Sequence, residues 1–177
     1  MNRSNHLTVG TRTSPLSLTQ TREVLALLEA ANPNINFTVS PITTKGDREN
    51  NKPLVNLGRG SFVKEIELAL INKKIDFAVH SAKDLTTPVP DGLILAAAPQ
   101  RKDPRDVLIN KWKFTLPELP PLARIGTSSP RRTAQLLALR PDLRVLDIRG
   151  NVGTRINKTR GNDYDGVILA AAGLIRL

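Results

Sequence analysis

The stretch Arg124-Ile125-Gly126-Thr127-Ser128-Ser129-Pro130-Arg131-Arg132, followed by an apolar helical pattern to Leu139, decides the fold class. Arg124–Thr127 predicts a short strand and Ser129–Leu139 a helix, with Pro130 in the first turn, where its missing N–H costs nothing. Arg144–Arg149 then predicts a second strand. A strand, a helix and a strand in this order need a crossover, and crossovers are right-handed and join parallel strands. The same alternation runs outward in both directions. Upstream, Leu7–Gly10 predicts a strand, and Pro15–Ala31 a helix with Leu18, Val24, Leu25 and Leu28 on one side. Ile35–Ile42 is a strand rich in β-branched residues, and Ser61–Lys73 a helix with Phe62, Ile66 and Leu70 in register and Ser61 as N-cap. Asp76–His80, Leu93–Ala98 and Asp106–Asn110 are further strands. Downstream come a helix over Val152–Thr159 and a strand over Gly166–Leu169. The expectation is an α/β protein with mainly parallel sheets. The polar, proline-bearing segment Gln100–Asp106 is the expected domain boundary.

Composition narrows the function classes. The chain has 177 residues, 40% hydrophobic, with a formal net charge of +10 and no cysteine. Its histidines are His6 and His80 alone. Disulfide scaffolds, thiol nucleophiles and zinc sites built from Cys and His are thereby excluded, and no metal site is expected. No apolar run approaches the roughly 18 residues of a membrane span, and Met1–His6 is not followed by the apolar core of a secretory signal. The expectation is a soluble, cytoplasmic protein. A basic chain suggests nucleic acid first, yet one Trp, one Tyr and four Phe are too few for a base-stacking platform. The cations also come singly or in pairs, so a small anionic ligand is expected rather than nucleic acid or a membrane. The apolar stretch Val167–Leu177, which has no polar tail, suggests a fragment or a naturally shortened chain.

Position is the informative property of the cations. Four short polar segments carry them between an expected strand and an expected helix, or just before a helix: Thr11-Arg12-Thr13-Ser14-Pro15, Gly58-Arg59-Gly60-Ser61, Gly126-Thr127-Ser128-Ser129-Pro130-Arg131-Arg132 and Arg149-Gly150-Asn151-Val152-Gly153-Thr154-Arg155. Free N–H groups, hydroxyls and a guanidinium together make an anion site, and such loops converge at the carboxyl ends of open α/β sheets. Each piece alone has a plainer reading: Ser14-Pro15 and Ser129-Pro130 are ordinary helix starts, and Arg149 and Arg155 could be surface charges. Cations at the start of a helix oppose its dipole, however, which argues for a bound anion near Arg131-Arg132. The segment His80-Ser81-Ala82-Lys83-Asp84 brings a carboxylate to a strand end beside a lysine and a histidine. Such a carboxylate can stabilise a developing cation or move a proton; the plainer alternative is a turn Asp paired with Lys83.

These segments also match a known family. Together with Thr44-Lys45-Gly46-Asp47, Phe62-Val63-Lys64-Glu65, Arg101-Lys102-Asp103-Pro104-Arg105-Asp106 and Leu169-Ala170-Ala171-Ala172-Gly173-Leu174, they run in family order, and the chain resembles the porphobilinogen deaminases, also called hydroxymethylbilane synthases. The resemblance implies two domains like those of type II periplasmic binding proteins with a cleft between them. Domain 1 would be residues 1–99, lacking a segment that returns to it, with a hinge at 100–105 and a shortened domain 2 at 106–177. The implied activity is condensation of four porphobilinogen molecules, with loss of ammonia, to hydroxymethylbilane in tetrapyrrole (heme) biosynthesis. Asp84 would be the catalytic carboxylate. Arg12, Ser14, Lys83, Thr127, Ser128, Ser129, Arg131, Arg132, Arg149 and Gly150 would bind the dipyrromethane cofactor. Arg12, Phe62, Arg149, Arg155 and Arg176 would bind substrate.

The family hangs dipyrromethane from a cysteine of a third domain, and the 177 residues contain neither that domain nor any cysteine. A separate chain bearing the third domain is one partner this leaves open; the chain itself is expected to be monomeric. Asn56 stands where the family often has lysine, and Arg59 replaces another lysine. A second reading is therefore a non-catalytic module that binds anions or pyrrole carboxylates.

Overall fold

The computed structural model describes residues 5–49, 58 and 60–177. The chain divides into two compact units, Met1–Arg101 and Lys102–Leu177.

In the first unit, β1 (His6–Arg12) is the middle strand of a three-stranded parallel sheet, flanked by β2 (Asn36–Ile42) and β3 (Phe77–Ala78). Its register pairs His6 with Asn36 and Arg12 with Ile42, and Val9 with Phe77 on the other side. The crossover between β1 and β2 is helix α1 (Pro15–Ala31), which starts where proline predicts it. The expected apolar face turns inward: Leu25 is buried, and Leu18, Val24 and Leu28 are half-buried. Thr21, on the same face, is fully buried and donates to the Thr11 hydroxyl at 2.8 Å, so the polar pair costs no unmet hydrogen bond. After β2 come a single turn, α2 (Lys45–Arg48), and α3 (Lys64–Ile71), whose Ile66 and Ala69 pack with Ile75.

Three sequence expectations are corrected in this unit. The helix expected over Ser61–Lys73 is shorter, and Ser61 does not cap it. Gly60, with φ of 76°, opens a turn in which Val63 and Lys64 both donate to the Gly60 carbonyl, and Ser61 lies inside that turn rather than at the helix start. The far end stops on Lys73 in the left-handed region (φ 53°), with Lys73 bonded back to Leu70 and Lys74 to Ala69, a Schellman closure. The strand expected over Asp76–His80 shrinks to two residues: the Asp76 carboxylate takes the Thr8 N–H at 2.7 Å, while Asp76 and Val79 each donate one backbone bond to β1, to Thr8 and Gly10. Leu93–Ala98 forms no strand: Ile94 is 85% and Leu95 64% exposed. An apolar run becomes a strand only when its backbone groups find a ladder, and none of the described residues provides one here.

The second unit is built on a four-stranded sheet, β4 (Asp106–Asn110), β7 (Gly166–Ala170), β5 (Arg124–Gly126) and β6 (Arg144–Leu146) in spatial order. The last three strands run parallel, joined by α4 (Pro130–Leu139) between β5 and β6 and α5 (Val152–Lys158) between β6 and β7. The edge strand β4 is antiparallel to β7, pairing Asp106 with Ala170. The sheet is therefore mixed and mainly parallel, as expected, and its one antiparallel pair has a simple reason. No helix connects β4 to β5; an irregular loop does, and nothing then forces the parallel sense. β6 ends at Leu146, three residues short of the expected Arg149, and a short helix not foreseen, α6 (Ala171–Ile175), follows β7.

Side chains of β7 alternate between two cores, as a strand covered on both faces requires. Ile168 joins Leu119, Ala123, Ile125, Leu136 and Leu143 on one side, while Val167 and Leu169 join Ile148 on the other. At the start of β7, buried Asp165 takes Lys111 Nζ at 2.5 Å, Arg124 Nη2 at 2.9 Å and the Arg124 backbone N–H at 2.8 Å. These donors, the Arg124 hydrogen bond foremost, hold its carboxyl far below the ordinary carboxylate range despite burial. The charge network thus fixes the β4–β5 loop to the sheet. Among the described residues, no helix is long and apolar enough to cross a membrane.

Candidate functional site

In the first unit, Arg12 is the last residue of β1, delivered to the carboxyl end of the sheet just before Ser14 caps α1 by accepting the Ser17 N–H. Its guanidinium meets three groups. Nη2 donates to Asp47 Oδ1 at 2.5 Å and Nε to Asp47 Oδ2 at 3.3 Å, a two-point fork. Nη1 lies 3.7 Å from Asp84 Oδ2, an ion pair too long for a hydrogen bond. The flat face of the group sits 4.3 Å from the centroid of the Phe62 ring, in cation–π range.

Each partner is positioned by local chemistry. Asp47 closes a capping box on α2: Thr44 Oγ1 accepts the Asp47 N–H, and Asp47 accepts both the Thr44 N–H and its hydroxyl. Burial acts to raise the Asp47 pKa, but the hydrogen bonds from Arg12 and Thr44 outweigh it and hold the carboxyl below its ordinary value. Gly46 leaves room for the aromatic ring: a Cβ there would stand 2.3 to 2.7 Å from three Phe62 ring atoms. Asp84 ends a 3-10 turn, Ala82–Asp84, whose start is closed by the Asp84 N–H donating to the Ser81 carbonyl at 2.9 Å. The Ser81 hydroxyl is linked to the Gln20 carboxamide at 3.0 Å, which ties this turn to α1. Lys83 is exposed beside it. Burial pushes the His80 imidazole below its ordinary pKa, Asp84 opposes that shift and Arg12 reinforces it. The result is one carboxylate, Asp84, presented on a short turn with Arg12 beside it and Phe62 against Arg12.

In the second unit the expected residues gather on two neighbouring loops. After β5, Thr127 is buried and its hydroxyl accepts the Ser129 N–H at 3.2 Å, and Ser129 caps α4. The Ser128 hydroxyl donates to the Ile148 carbonyl at 2.6 Å and accepts its N–H at 3.1 Å, which ties this loop to the one after β6. Arg132, 11% exposed, forks onto Asp106 and donates to the Ile168 carbonyl; Arg131, 66% exposed, reaches Asp106 at 3.5 Å. In the second loop Gly150 has φ of 114°, a conformation that favours glycine. Asn151 caps α5, and Arg155 Nε donates to the Gly150 carbonyl at 2.7 Å. Arg149 is half-buried at the start of that loop. Arg176 lies apart from these loops in sequence, at the end of α6, where it donates to the Ala172 carbonyl.

The structure thus brings Arg12, Phe62 and Asp84 together in one unit, and Thr127, Ser128, Ser129, Arg131, Arg132, Arg149, Gly150 and Arg155 onto adjoining loops in the other. Asn56 and Arg59 lie outside the described residues. Sequence reasoning gave no role to Asp47 or Gln20. For Asp47 a signal existed, because Thr44-Lys45-Gly46-Asp47 has capping-box spacing; nothing in the spacing of Gln20 points to Ser81. Among the described residues, no cluster of three or more His, Asp or Glu could hold a metal ion.

Comparison with known proteins gives this arrangement a family. The model described as porphobilinogen deaminase, dipyromethane cofactor binding domain, matches residues 7–177. The porphobilinogen deaminase of Roseiflexus castenholzii is 52% identical over 174 residues, 98% of this chain and 57% of that protein. That of Bacillus subtilis is 51% identical over 170 residues, 96% of this chain and 54% of that protein. That of Deinococcus deserti is 53% identical over 174 residues, again 96% of this chain and 56% of that protein. The chain spans a little over half the length of these curated relatives. By these matches, extending over nearly every residue that carries the two sheets and their loops, the chain belongs to the porphobilinogen deaminase family.

Proposed function

We propose that this chain forms the part of a porphobilinogen deaminase that binds substrate and cofactor and carries the catalytic carboxylate. The observation that carries the proposal is Asp84, held on a short turn with Arg12 at 3.7 Å and with Phe62 against Arg12. Porphobilinogen offers a pyrrole N–H, two carboxylates and an aminomethyl group. Asp84 accepts the N–H, and the cations and hydroxyls of the Arg12, Thr127–Arg132 and Arg149–Arg155 loops take the carboxylates. As the aminomethyl C–N bond breaks and ammonia leaves, the pyrrole becomes an electrophilic, cationic azafulvene. A fixed carboxylate beside the ring nitrogen stabilises that charge where it develops. Attack by the terminal pyrrole carbon of the growing chain forms the new C–C bond, and that carbon then loses its proton. Four such condensations and hydrolytic release give hydroxymethylbilane.

The donor set suits dipyrromethane as it suits substrate: both are pyrroles bearing acidic side chains, and the chain offers one N–H acceptor with a surplus of cations. Arg12, Ser14, Lys83, Thr127, Ser128, Ser129, Arg131, Arg132, Arg149 and Gly150 would hold it, and Phe62, Arg155 and Arg176 would complete the substrate site. When bound, dipyrromethane supplies the primer pyrrole to which the first substrate unit is joined. The thiol that tethers it in the family is not among these 177 residues. In this reading the two units are type II periplasmic-binding-protein-like domains with a hinge at 100–105. The thiol comes from a third domain, in the same protein or a partner chain, and the monomer works in the cytoplasm.

The test is porphobilinogen binding by calorimetry on the purified chain, together with porphobilinogen consumption and detection of uroporphyrin after oxidation. Saturable binding that Asp84→Ala removes supports the proposal; no binding by the unmodified chain overturns it. Turnover without any cysteine would show that the tether is dispensable.

A further inference from the structure

The fork between Arg12 and Asp47 has a purpose that neither residue type nor family membership supplies. Arg12 stands between two carboxylates and treats them unequally: a short two-point contact to Asp47 and a loose one of 3.7 Å to Asp84. A guanidinium next to a single carboxylate closes onto it through two parallel N–H···O bonds. Were Asp47 not there, Arg12 would have Asp84 as its only carboxylate among those the structure places against it, and would occupy the oxygens that a pyrrole N–H must reach. We propose that Asp47 is a positioning residue: it holds Arg12 back from Asp84, so that Arg12 supplies charge to Asp84 without capping it.

Three features make Asp47 suited to this. It is anchored independently of Arg12, by the Thr44 N–H and hydroxyl, so it does not follow the guanidinium. It sits on α2, in a segment separate in sequence from both β1 and the Asp84 turn, and so fixes a third point. The Phe62 ring lies against the cation, its centroid 4.3 Å from Arg12 Cζ, and so limits movement of the guanidinium on that side while Asp47 holds it by hydrogen bonds. Only Asp47 and Asp84 form ion pairs with Arg12 among the described residues.

This inference rests on Asp84 being the N–H acceptor of the proposed function, and the experiment separates the two. Porphobilinogen is titrated by calorimetry into the unmodified chain, Asp47→Asn, Arg12→Gln and the double variant, with thermal midpoints recorded for each. Asn keeps an oxygen for Thr44 and loses the charge that holds Arg12. The expected result is binding at least about tenfold weaker in Asp47→Asn, and no further loss when Asp47→Asn is added to Arg12→Gln, because the restraint has nothing left to restrain. Equal losses in both backgrounds, tracking the thermal midpoint, would mean a merely structural role and would overturn the inference. Unchanged affinity in Asp47→Asn would overturn it too. Asp47→Glu, which keeps the charge, is expected to recover part of the affinity, and Thr44→Val should weaken binding only as far as it loosens Asp47. If the unmodified chain binds no porphobilinogen, the proposed function itself fails, and with it the ground for this one.

Discussion

In the unit ending at Arg101, the buried charge is arranged around carboxylates: Asp47 and Asp84 stand on either side of one guanidinium, and burial keeps His80 neutral nearby. In the unit from Lys102 onward the balance reverses. Arg131, Arg132, Arg149 and Arg155 occupy two adjoining loops, where Asp106 pairs with Arg131 and Arg132 and the Gly150 carbonyl accepts from Arg155. In the proposed function the first unit supplies the N–H acceptor, with Arg12 beside it, and the second supplies most of the cations for carboxylates.

That contrast can be broken experimentally, and the largest effect should come from its centre. Asp84→Ala in a turnover-competent form of the protein is expected to slow porphobilinogen consumption by about a thousandfold, the upper range for removal of one preorganised electrostatic partner, with the thermal midpoint unmoved. Retained turnover would remove the carboxylate from the mechanism. Next comes Asp165→Asn in the second unit, which leaves Lys111 and Arg124 without their shared carboxylate. A loss of about 3 kcal/mol, measured by urea unfolding, is expected for breaking such a buried network. A loss below about 1 kcal/mol would mean that the apolar clusters on either side of β7 hold that unit unaided.

Arg149→Ala should weaken binding of a pyrrole dicarboxylate by about 1.5–3 kcal/mol, the scale of one charged hydrogen bond. An unchanged affinity would place the anion-binding role on Arg131 and Arg155 instead. The smallest effect is on pH dependence. Because the folded protein holds the His80 pKa below its ordinary 6.5, the unfolded chain takes up a proton first. The stability that comes from keeping His80 neutral is whole above that value and is lost as the pH falls through it toward the folded-state pKa. Denaturation midpoints recorded down to about pH 5 should therefore decline, and His80→Gln should flatten the decline. A midpoint that rose on acidification would contradict the burial argument.

Much of this was legible before any coordinates. Pro15 marked one helix start to the residue and Pro130 another to within one, and β-branched runs located β2, β4 and β7 to within a residue or two. What failed shares one cause. Asp76–His80, Leu93–Ala98 and the tail of β6 are apolar or branched enough to be strands, but strand length is set by the partner's backbone, which a local window cannot contain. The antiparallel sense of β4 was hidden for the same reason. In the candidate site, residue type and loop position were sufficient to single out Arg12 and Asp84, which the structure brings within 3.7 Å of each other. They could not find the link between Gln20 and Ser81, 61 positions apart, because a side-chain pair at that separation leaves no spacing to read.

Gly46 sets a limit on which sequences this site can tolerate. Its missing side chain is space that the Phe62 ring already occupies, so alanine, the mildest change available, must evict the ring before it can be accommodated. The ring cannot leave without uncovering Arg12, and Arg12 is the cation that Asp47 and Asp84 share. A single methyl group on a residue that contacts no charge is therefore transmitted, through one aromatic side chain, to the electrostatics around Asp84. A survey of substitutions should find this position as intolerant as Asp84 itself, although it has no functional group to lose.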